Sequence, residues 1–355
     1  MKGWIKRIFY INWILFSLLL LISPKIQAKN NYLSKINVSK DVSFLKARPV
    51  WGKNQQGQIN ITLGFRSVFN SQDKETPLLR ITGGSYYHIY LNGKHLAFGP
   101  ARGPHGWTRV DEYKLKNLKN GKNLLAIEVV GYNVNSYNAA NKEPFLQAEI
   151  ESGEKIIAYT KPQESKFRAL LVDERVQKVP RYSFQRPMME YWQLNPNSRN
   201  WIKDLDAKFS PINLIKQPHK KLVPRRVPKN DYKLISADNI ISRGRFQSDY
   251  KPDQYWKPRY YANFPEYYIA FRPDELEKDP LKKLQQIRML KQNKVKQRLS
   301  PDEPLKLESG KSAILNFDII RTGFPGIKIK CEEPTVLYWQ FDEIMVNSDL
   351  NLTRY

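Results

Sequence analysis

The sequence is poor in the residues that build disulfides and zinc sites. A single cysteine among 355 residues cannot form an internal disulfide or a cysteine-rich zinc centre. The four histidines include no H-E-x-x-H pair, which excludes a zincin-type protease. The sequences G-x-x-x-x-G-K-[ST] and G-x-S-x-G are also missing, so a P-loop nucleotidase and a serine nucleophile of the α/β-hydrolase type are excluded.

Acidic residues are scarce relative to basic ones. The chain has 34 Asp and Glu against 59 Lys and Arg, and its formal net charge is +25. Hydrophobic residues make up 41% and aromatic residues 12%, which is enough for packed cores and excludes wholesale disorder. The length predicts about two domains of roughly 150 residues each.

The amino terminus has the layout of a secretory signal peptide. Basic residues within 2–7 precede an apolar run over 8–22, and Ala28 offers a small residue at a cleavage point. The run is short for a membrane span, which favours cleavage after Ala28 over an uncleaved anchor. We therefore expect an exported protein that is periplasmic, envelope-associated or secreted, without residues 1–28 and with no later membrane span.

Export changes the meaning of the positive charge. Residues 1–28 hold four basic and no acidic residues, so their removal leaves a charge of +21. An exported protein rarely meets nucleic acid, so we predict an acidic polysaccharide or an anionic cell surface as the partner, and no nucleic acid. A solvated basic surface without a partner is an equal alternative.

Short alternating stretches predict strands from residue 58 onward. Residues 59–65 alternate apolar with polar or small side chains, which is the period of a half-buried strand. Asn92-Gly93 lies between two such stretches and predicts a type I′ hairpin, because both central residues need a positive φ. Many short strands separated by turns predict an all-β fold, a β-sandwich or jelly roll.

A proline-rich segment divides the mature chain. Residues 216–234 are interpreted as an extended linker, because each proline in LVPRRVP favours an extended predecessor. We predict an N-terminal, carbohydrate-binding-like β-sandwich over 29–215 and a second, concanavalin-like β-sandwich domain over 235–355.

The second domain is predicted to carry one inserted amphipathic helix among strands. The helix is expected over 279–297, with Asp279 as its N-cap and apolar residues at 281, 284, 287 and 290. Strands are expected over three later stretches, 313–318, 327–331 and 336–341.

The sequence shows no convincing catalytic pair. Adjacent acidic residues occur at 111–112, 332–333 and 342–343, but neighbours on a strand point to opposite faces, so none of these pairs can flank one sugar. Surface or turn carboxylates explain them better, and we predict no catalytic residue. Cys331 lies in a predicted strand among apolar residues and is expected to be a buried, inert thiol.

The loop at 99–107 holds the strongest candidate binding residues. Its glycines allow tight geometry, and Arg102, His105 and Trp107 supply a bidentate donor, a polar ring and a stacking face, which suits sugar binding. The same residues suit a structural role, with Arg102 buried against Asp111 and Trp107 in the core. We favour the structural interpretation for Arg102 and Asp111.

A second candidate segment follows the strand that ends near residue 131. Asn133, Asn135 and Tyr137 are candidate carbohydrate-binding residues. Oxygens of Asn133, Asn135 and Asn138 could also hold calcium, although asparagines in a loop are more often turn formers. We predict no metal site and no cofactor; calcium stays an alternative.

Several segments resemble the N-terminal β-sandwich of bacterial α-L-rhamnosidases. The resemblance rests on YYHIYLNGK at 86–94, GPARG at 99–103 and GKNLLAIEVVGYNVNSY at 121–137. Downstream, YSFQRP is similar to the segment that closes that sandwich, and LNFD and FDE resemble the following concanavalin-like domain.

Members of that family continue into an (α/α)6 barrel that holds the catalytic carboxylates, and this sequence has no run of paired helices. The resemblance therefore implies the accessory, carbohydrate-binding portion of a secreted α-L-rhamnosidase-like glycoside hydrolase that acts on plant or algal polysaccharide. It carries over no catalytic residue, and the second β-domain could stop incomplete at Tyr355. The alternative is a stand-alone envelope protein that binds carbohydrate or mediates adhesion without catalysis.

Overall fold

The computed structural model describes most of the chain from Val42 onward. The described residues are 42–71, 75–136, 143–164, 166–181, 188–216, 221–248, 270–283, 287–300, 303–343, 345–346 and 349–350. The predicted signal peptide over 1–28 and the segment 182–187 lie outside them. Within these ranges no helix is long and apolar enough to cross a membrane.

Strands dominate the described residues, which confirms the all-β fold class. Among the described residues, one α-helix, α1, spans Asp279–Lys283, and single 3₁₀ turns span Asn200–Ile202 and Pro273–Glu275. The strands are β1 (Val50–Gly52), β2 (Ile61–Ser71), β3 (Leu78–Gly84), β4 (Tyr86–Leu91), β5 (Lys94–Gly99), β6 (Trp107–Lys114), β7 (Gly121–Gly131), β8 (Phe145–Ser152), β9 (Lys155–Tyr159), β10 (Arg168–Leu171), β11 (Ile212–Leu214), β12 (Lys221–Pro224), β13 (Asn239–Ser248), β14 (Ile287–Arg298), β15 (Lys311–Asn316), β16 (Met345–Val346) and β17 (Asp349–Leu350).

Two sheets form a β-sandwich from the first twelve strands. One sheet has the order β11-β1-β8-β3-β6-β12 with β9 beside β8, and the other has the order β10-β2-β7-β4-β5. The hairpin of β4 and β5 turns at Asn92 and Gly93, whose φ values of 51° and 81° confirm the predicted I′ geometry. β8 and β9 form a further antiparallel hairpin.

The main core lies between these two sheets. Phe65 of β2 is opposite Ile127 of β7, and Ile127 is opposite Ile89 of β4, so one buried row crosses the five-stranded sheet. The indole of Trp51 packs 5.6 Å from the Phe65 ring. Because side chains alternate along a strand, the neighbours of these residues point away from the core, onto what we call the outer face of the five-stranded sheet.

The indole of Trp201 covers the middle of the outer face. It is buried against Ala126 of β7 and also lies over Gly64 of β2. A Cβ atom on Gly64 would lie 2.8 Å from the indole ring, so a glycine is required for this close approach. Trp201 therefore separates the side of the outer face toward β4 and β5 from the side toward β10.

Part of the predicted linker is hydrogen-bonded to the sandwich. Residues 221–224 form β12, which runs parallel to residues 107–110 of β6. Immediately after β12, Nη1 of Arg225 pairs with the buried carboxylate of Asp111 at 3.2 Å. The domain boundaries at 215 and 234 stay predictions.

The prediction of a helix over 279–297 is wrong for most of that range. The helix α1 begins at Asp279 but ends at Lys283, and residues 287–298 form β14 in a three-stranded sheet ordered β14-β13-β15. β13 pairs with β14 over nearly its whole length, from Asn239 opposite Arg298 to Ser248 opposite Ile287. The spacing of the apolar residues at 281, 284, 287 and 290 fits a helix, but such a short pattern does not exclude a strand. The long pairing with β13 outweighs the local preference for a helix.

Only the first of the three strands predicted near the carboxyl end is present. β15 confirms the strand expected over 313–318, but 327–331 and 336–341 form no strand. Cys331 is exposed, so the prediction of a buried thiol is wrong. Within the part of the chain that the structure describes, no strand pairs with its segment.

Candidate functional site

β4 presents three aromatic rings on the outer face. Alternation along the strand buries Tyr87 and Ile89 in the core and leaves Tyr86, His88 and Tyr90 on the other side. Further rings from β5 and neighbouring segments pack beside them. We call the whole set the aromatic patch: Tyr86, His88, Tyr90, His95, Phe98, Tyr132, Tyr232 and Phe324.

His88 occupies a central position in the aromatic patch. Its ring centroid lies 5.0 Å from Phe98, 4.8 Å from Phe324 and 5.4 Å from His95. Nδ1 of His88 is 3.2 Å from Nε2 of His95, so one ring donates a hydrogen bond and the other accepts it. Burial, followed by the nearby His95 and Arg199, lowers the pKa of His88 from 6.5 to about 4. His88 is therefore uncharged at neutral pH.

A buried arginine, Arg175, holds Tyr86 and an acidic residue beside the patch. Its Nη1 donates to Thr62 Oγ1 at 2.9 Å and to Asn60 Oδ1 at 3.3 Å. Its Nη2 lies 3.5 Å from both the Tyr86 hydroxyl and Glu190 Oε1. Burial opposes the charge of Arg175, but the surrounding phenols and Glu190 outweigh burial and raise its pKa.

A second arginine connects the patch to an indole. Nη1 of Arg199 pairs with Glu128 Oε2 at 2.7 Å, and Nη2 donates to the Tyr90 hydroxyl at 2.6 Å. The guanidinium lies 5.2 Å from the Tyr90 ring centre and 5.4 Å from the Trp192 ring, both cation–π distances. Trp192 Nε1 in turn donates to Glu190 Oε2 at 3.0 Å. These contacts form a continuous polar edge of the patch, from Glu128 to Glu190.

Glu190 is the exposed acidic end of this polar edge. Its side chain is 47% exposed. Burial of the remainder raises the pKa of Glu190, but Arg175 and the hydrogen bond from Trp192 outweigh that effect and hold the pKa below its usual value. The ionised carboxylate has about four acceptor positions, so some stay available toward solvent after the contacts to Arg175 and Trp192.

The site combines ring faces with fixed polar groups. Ring faces suit the apolar faces of a ligand, the half-exposed Glu190 is placed to accept from hydroxyl groups, and the partly exposed Arg199 is placed to donate to them. A ligand with C–H faces and many hydroxyls matches this combination, and such a ligand is a carbohydrate. Among the described residues, no group of three or more His, Cys, Asp or Glu could hold a metal ion.

The candidate loop predicted from the sequence lies between β5 and β6. Arg102 and His105 are exposed, and Trp107, the first residue of β6, is 45% exposed with Lys221 Nζ 5.3 Å from its ring centre. Trp107 is therefore not a core residue. The pairing of Arg102 with Asp111 is wrong, because Arg102 faces solvent. A role of Arg102, His105 and Trp107 in sugar binding stays a prediction.

The asparagine segment follows β7. Asn133 has a φ of 50°, in the left-handed region, which fits its use as a turn residue. The backbone carbonyl of Asn135 accepts a hydrogen bond from the buried guanidinium of Arg181. Tyr137 and Asn138 lie outside the described residues. Sugar or calcium binding by this segment stays a prediction.

The polar edge was missed by sequence reasoning. Arg175, Glu190, Trp192 and Arg199 come from a stretch rich in proline and charge that has no regular period, so nothing local indicates which residues meet. The aromatic patch did leave a signal: Tyr86, His88 and Tyr90 alternate with the apolar residues of one strand, which places three rings on the non-core face.

No family model matches this sequence, and no curated protein does. Among solved structures, a GH78 family rhamnosidase of Bacillus sp. GL1 is similar, with a TM-score of 0.54 and 22% identity over 61% of this chain and 23% of that chain. The similarity shows a shared fold. An α-L-rhamnosidase from Aspergillus terreus gives a TM-score of 0.40 and 14% identity over 77% of this chain and 36% of that one.

A lectin from Pleurotus ostreatus, solved in complex with GalNAc, gives a TM-score of 0.31 and 13% identity over 59% of each chain. The chain spans about a quarter of the length of the Bacillus rhamnosidase, so the shared fold is that of part of the enzyme.

Proposed function

We propose that this chain is the accessory, carbohydrate-binding portion of an exported α-L-rhamnosidase-like glycoside hydrolase and that it binds plant or algal polysaccharide. The observation that carries the proposal is the aromatic patch with its polar edge on the outer face of the sandwich. The fold shared with part of the Bacillus rhamnosidase supports the link to such enzymes.

In this proposal the two parts of the site have different tasks. Exposed faces of the patch, such as that of the half-exposed Phe324, bury the C–H faces of sugar rings. Glu190 accepts hydrogen bonds from hydroxyl groups, and its position is fixed by Arg175 and Trp192 before any ligand arrives. Such preorganisation lowers the entropic cost of binding.

Binding should depend on Trp192. We expect Trp192→Ala to weaken glycan binding by about thirtyfold, since losing an aromatic anchor at a binding site costs about 2 kcal/mol or more. The substitution also releases Glu190 from its indole donor. The measurement is affinity gel electrophoresis in a plant galactan, in polygalacturonate and in carrageenan, with a melting curve for each variant.

Trp339→Ala is the matched control, because Trp339 is an indole that is 42% exposed and belongs neither to the patch nor to its polar edge. It should bind as the unmodified chain does. Trp107→Ala tests the loop predicted from the sequence. If Trp192→Ala folds and binds glycan as the unmodified chain does, the proposed site at the aromatic patch is contradicted. If only Trp107→Ala loses binding, the binding site is the loop at 99–107.

The chain should not hydrolyse aryl α-L-rhamnosides. The family resemblance places the catalytic carboxylates in a helical barrel, and the described residues contain one five-residue helix. Glu128, the buried carboxylate of the polar edge, is paired with Arg199. Release of nitrophenol from nitrophenyl α-L-rhamnoside is the measurement. Turnover that is abolished by Glu190→Gln would show an active site on this chain and refute the accessory role.

A further inference from the structure

A shallow basic hollow lies on the other side of Trp201 from the aromatic patch. It has a volume of about 380 Å³ and is lined by Arg66, Val68, Lys166, Arg168, Ala207 and Phe209. Ligand pockets usually have volumes of about 300–1,000 Å³, so the hollow suits a group the size of one monosaccharide. Its described lining contains three cations and no carboxylate.

The sheet register connects the hollow to the patch. Arg168 of β10 is opposite Arg66 of β2, Arg66 is opposite Ala126 of β7, and Ala126 is opposite Tyr90 of β4. Directly paired side chains share a face, so this row runs along the outer face from the hollow to the polar edge. Three strand spacings separate Arg168 from Tyr90, which is about 14 Å.

Arg66 is held rigidly in the wall of the hollow. It is 5% exposed, and its two terminal nitrogens donate to the backbone carbonyls of Asp204, at 2.6 Å, and of Leu205. Its guanidinium lies 4.9 Å from the Phe209 ring centre. The guanidinium has five N–H donors, so these two bonds leave others for a ligand.

The charge of Arg66 is incompletely compensated. Burial lowers its pKa, and the nearby Asp204 and Asp206 only partly offset that effect. Arg168 lies directly opposite Arg66, and its Nη1 donates to the backbone carbonyl of Phe167 at 2.8 Å. An anion in the hollow would face Arg66, Arg168 and Lys166 together, so its charge would complement all three.

We propose that the hollow binds the anionic group of an acidic glycan, either the carboxylate of a uronate or a sulfate ester, while neighbouring sugars of the same chain contact the aromatic patch. This inference rests on the proposed function. The charge of +25 on the whole chain attracts any polyanion at long range, whereas the hollow supplies a local site for one anionic group.

The test compares two double variants that remove the same charge. Lys166→Gln/Arg168→Gln alters the hollow at exposed positions, and Lys116→Gln/Arg298→Gln alters exposed residues elsewhere. Affinity gel electrophoresis in polygalacturonate, carrageenan and neutral galactan measures binding at moderate salt. The hollow variant should lose about tenfold or more on an acidic glycan, as expected for a lost charge-assisted hydrogen bond, and should retain its affinity for galactan.

Each outcome has a distinct meaning. A loss on polygalacturonate alone identifies the carboxylate, a loss on carrageenan alone identifies the sulfate, and a loss on both shows a general anion site. Equal losses in the two double variants, or none in the hollow variant, overturn this inference and leave the proposed function standing. A chain that binds none of the three glycans overturns both.

Discussion

Replacing Asp111 with alanine should lower the free energy of unfolding by about 3 kcal/mol, because the loss of a buried, charged acceptor leaves its hydrogen-bond donors without a partner. The carboxylate is fully buried, accepts Nη1–H of Arg225 at 3.2 Å and also accepts the hydroxyl of the buried Tyr87. Both donors would be left without this acceptor. Urea unfolding at neutral pH, followed by tryptophan fluorescence, measures the loss.

Asp231→Ala is the matched control for this experiment. Asp231 pairs with Lys233 at 3.1 Å, but its side chain is 72% exposed, so its removal should leave the free energy of unfolding nearly unchanged. Arg225→Ala should also destabilise the fold, and the double variant should lose less than the sum of the single losses, because the two residues share one interaction. Full additivity would contradict the Asp111–Arg225 coupling.

The sequence predicted a structural use for Asp111 but not its partner. The prediction paired Asp111 with Arg102, which belongs to the nearby glycine-rich loop, whereas the arginine that pairs is Arg225, 114 residues away. Arg225 reaches Asp111 because β12 runs beside β6 in parallel. Such a pairing is fixed by long-range topology, and no local period or turn motif encodes it.

Strand alternation was a reliable guide where one face of a strand meets a core. β2 and β4 were predicted because apolar residues recur at every second position, and these residues are buried between two sheets. The prediction of a helix was wrong for residues 287–298 because their apolar residues fit a helix as well as a strand. The pairing of these residues with β13 makes them a strand.

The outer face could be predicted only in part. The rings of β4 were visible as alternating aromatic residues, but the arginines and Glu190 that order them come from irregular segments distant in sequence. Arg175 lies 115 residues from Asn60 and 89 from Tyr86, both of which it contacts. Single residues at such separations become neighbours only once both sheets are assembled.

The stability of the chain should fall as the pH is lowered from 6.5 toward 4, and His88 should account for about 2–3 kcal/mol of that loss. Burial first, then His95 and Arg199, lowers the pKa of His88 from 6.5 to about 4. The unfolded chain therefore takes up a proton near pH 6.5, while the folded chain does so only near pH 4. The contribution of neutral His88 is fully present above pH 6.5.

Unfolding in urea at pH 7.5 and at pH 4.5 measures this contribution when the chain is compared with His88→Phe. Phenylalanine can keep the contacts with Phe98 and Phe324 but cannot take up a proton, so its stability should change less with pH. Other groups that titrate in this interval, such as Glu190, are common to both proteins and cancel in the difference.

His105→Phe is the control, because His105 is exposed in the loop before β6. This variant should keep the pH dependence of the unmodified chain. If His88→Phe and the unmodified chain lost equal stability between the two pH values, the burial of a neutral His88 would not be a source of acid sensitivity.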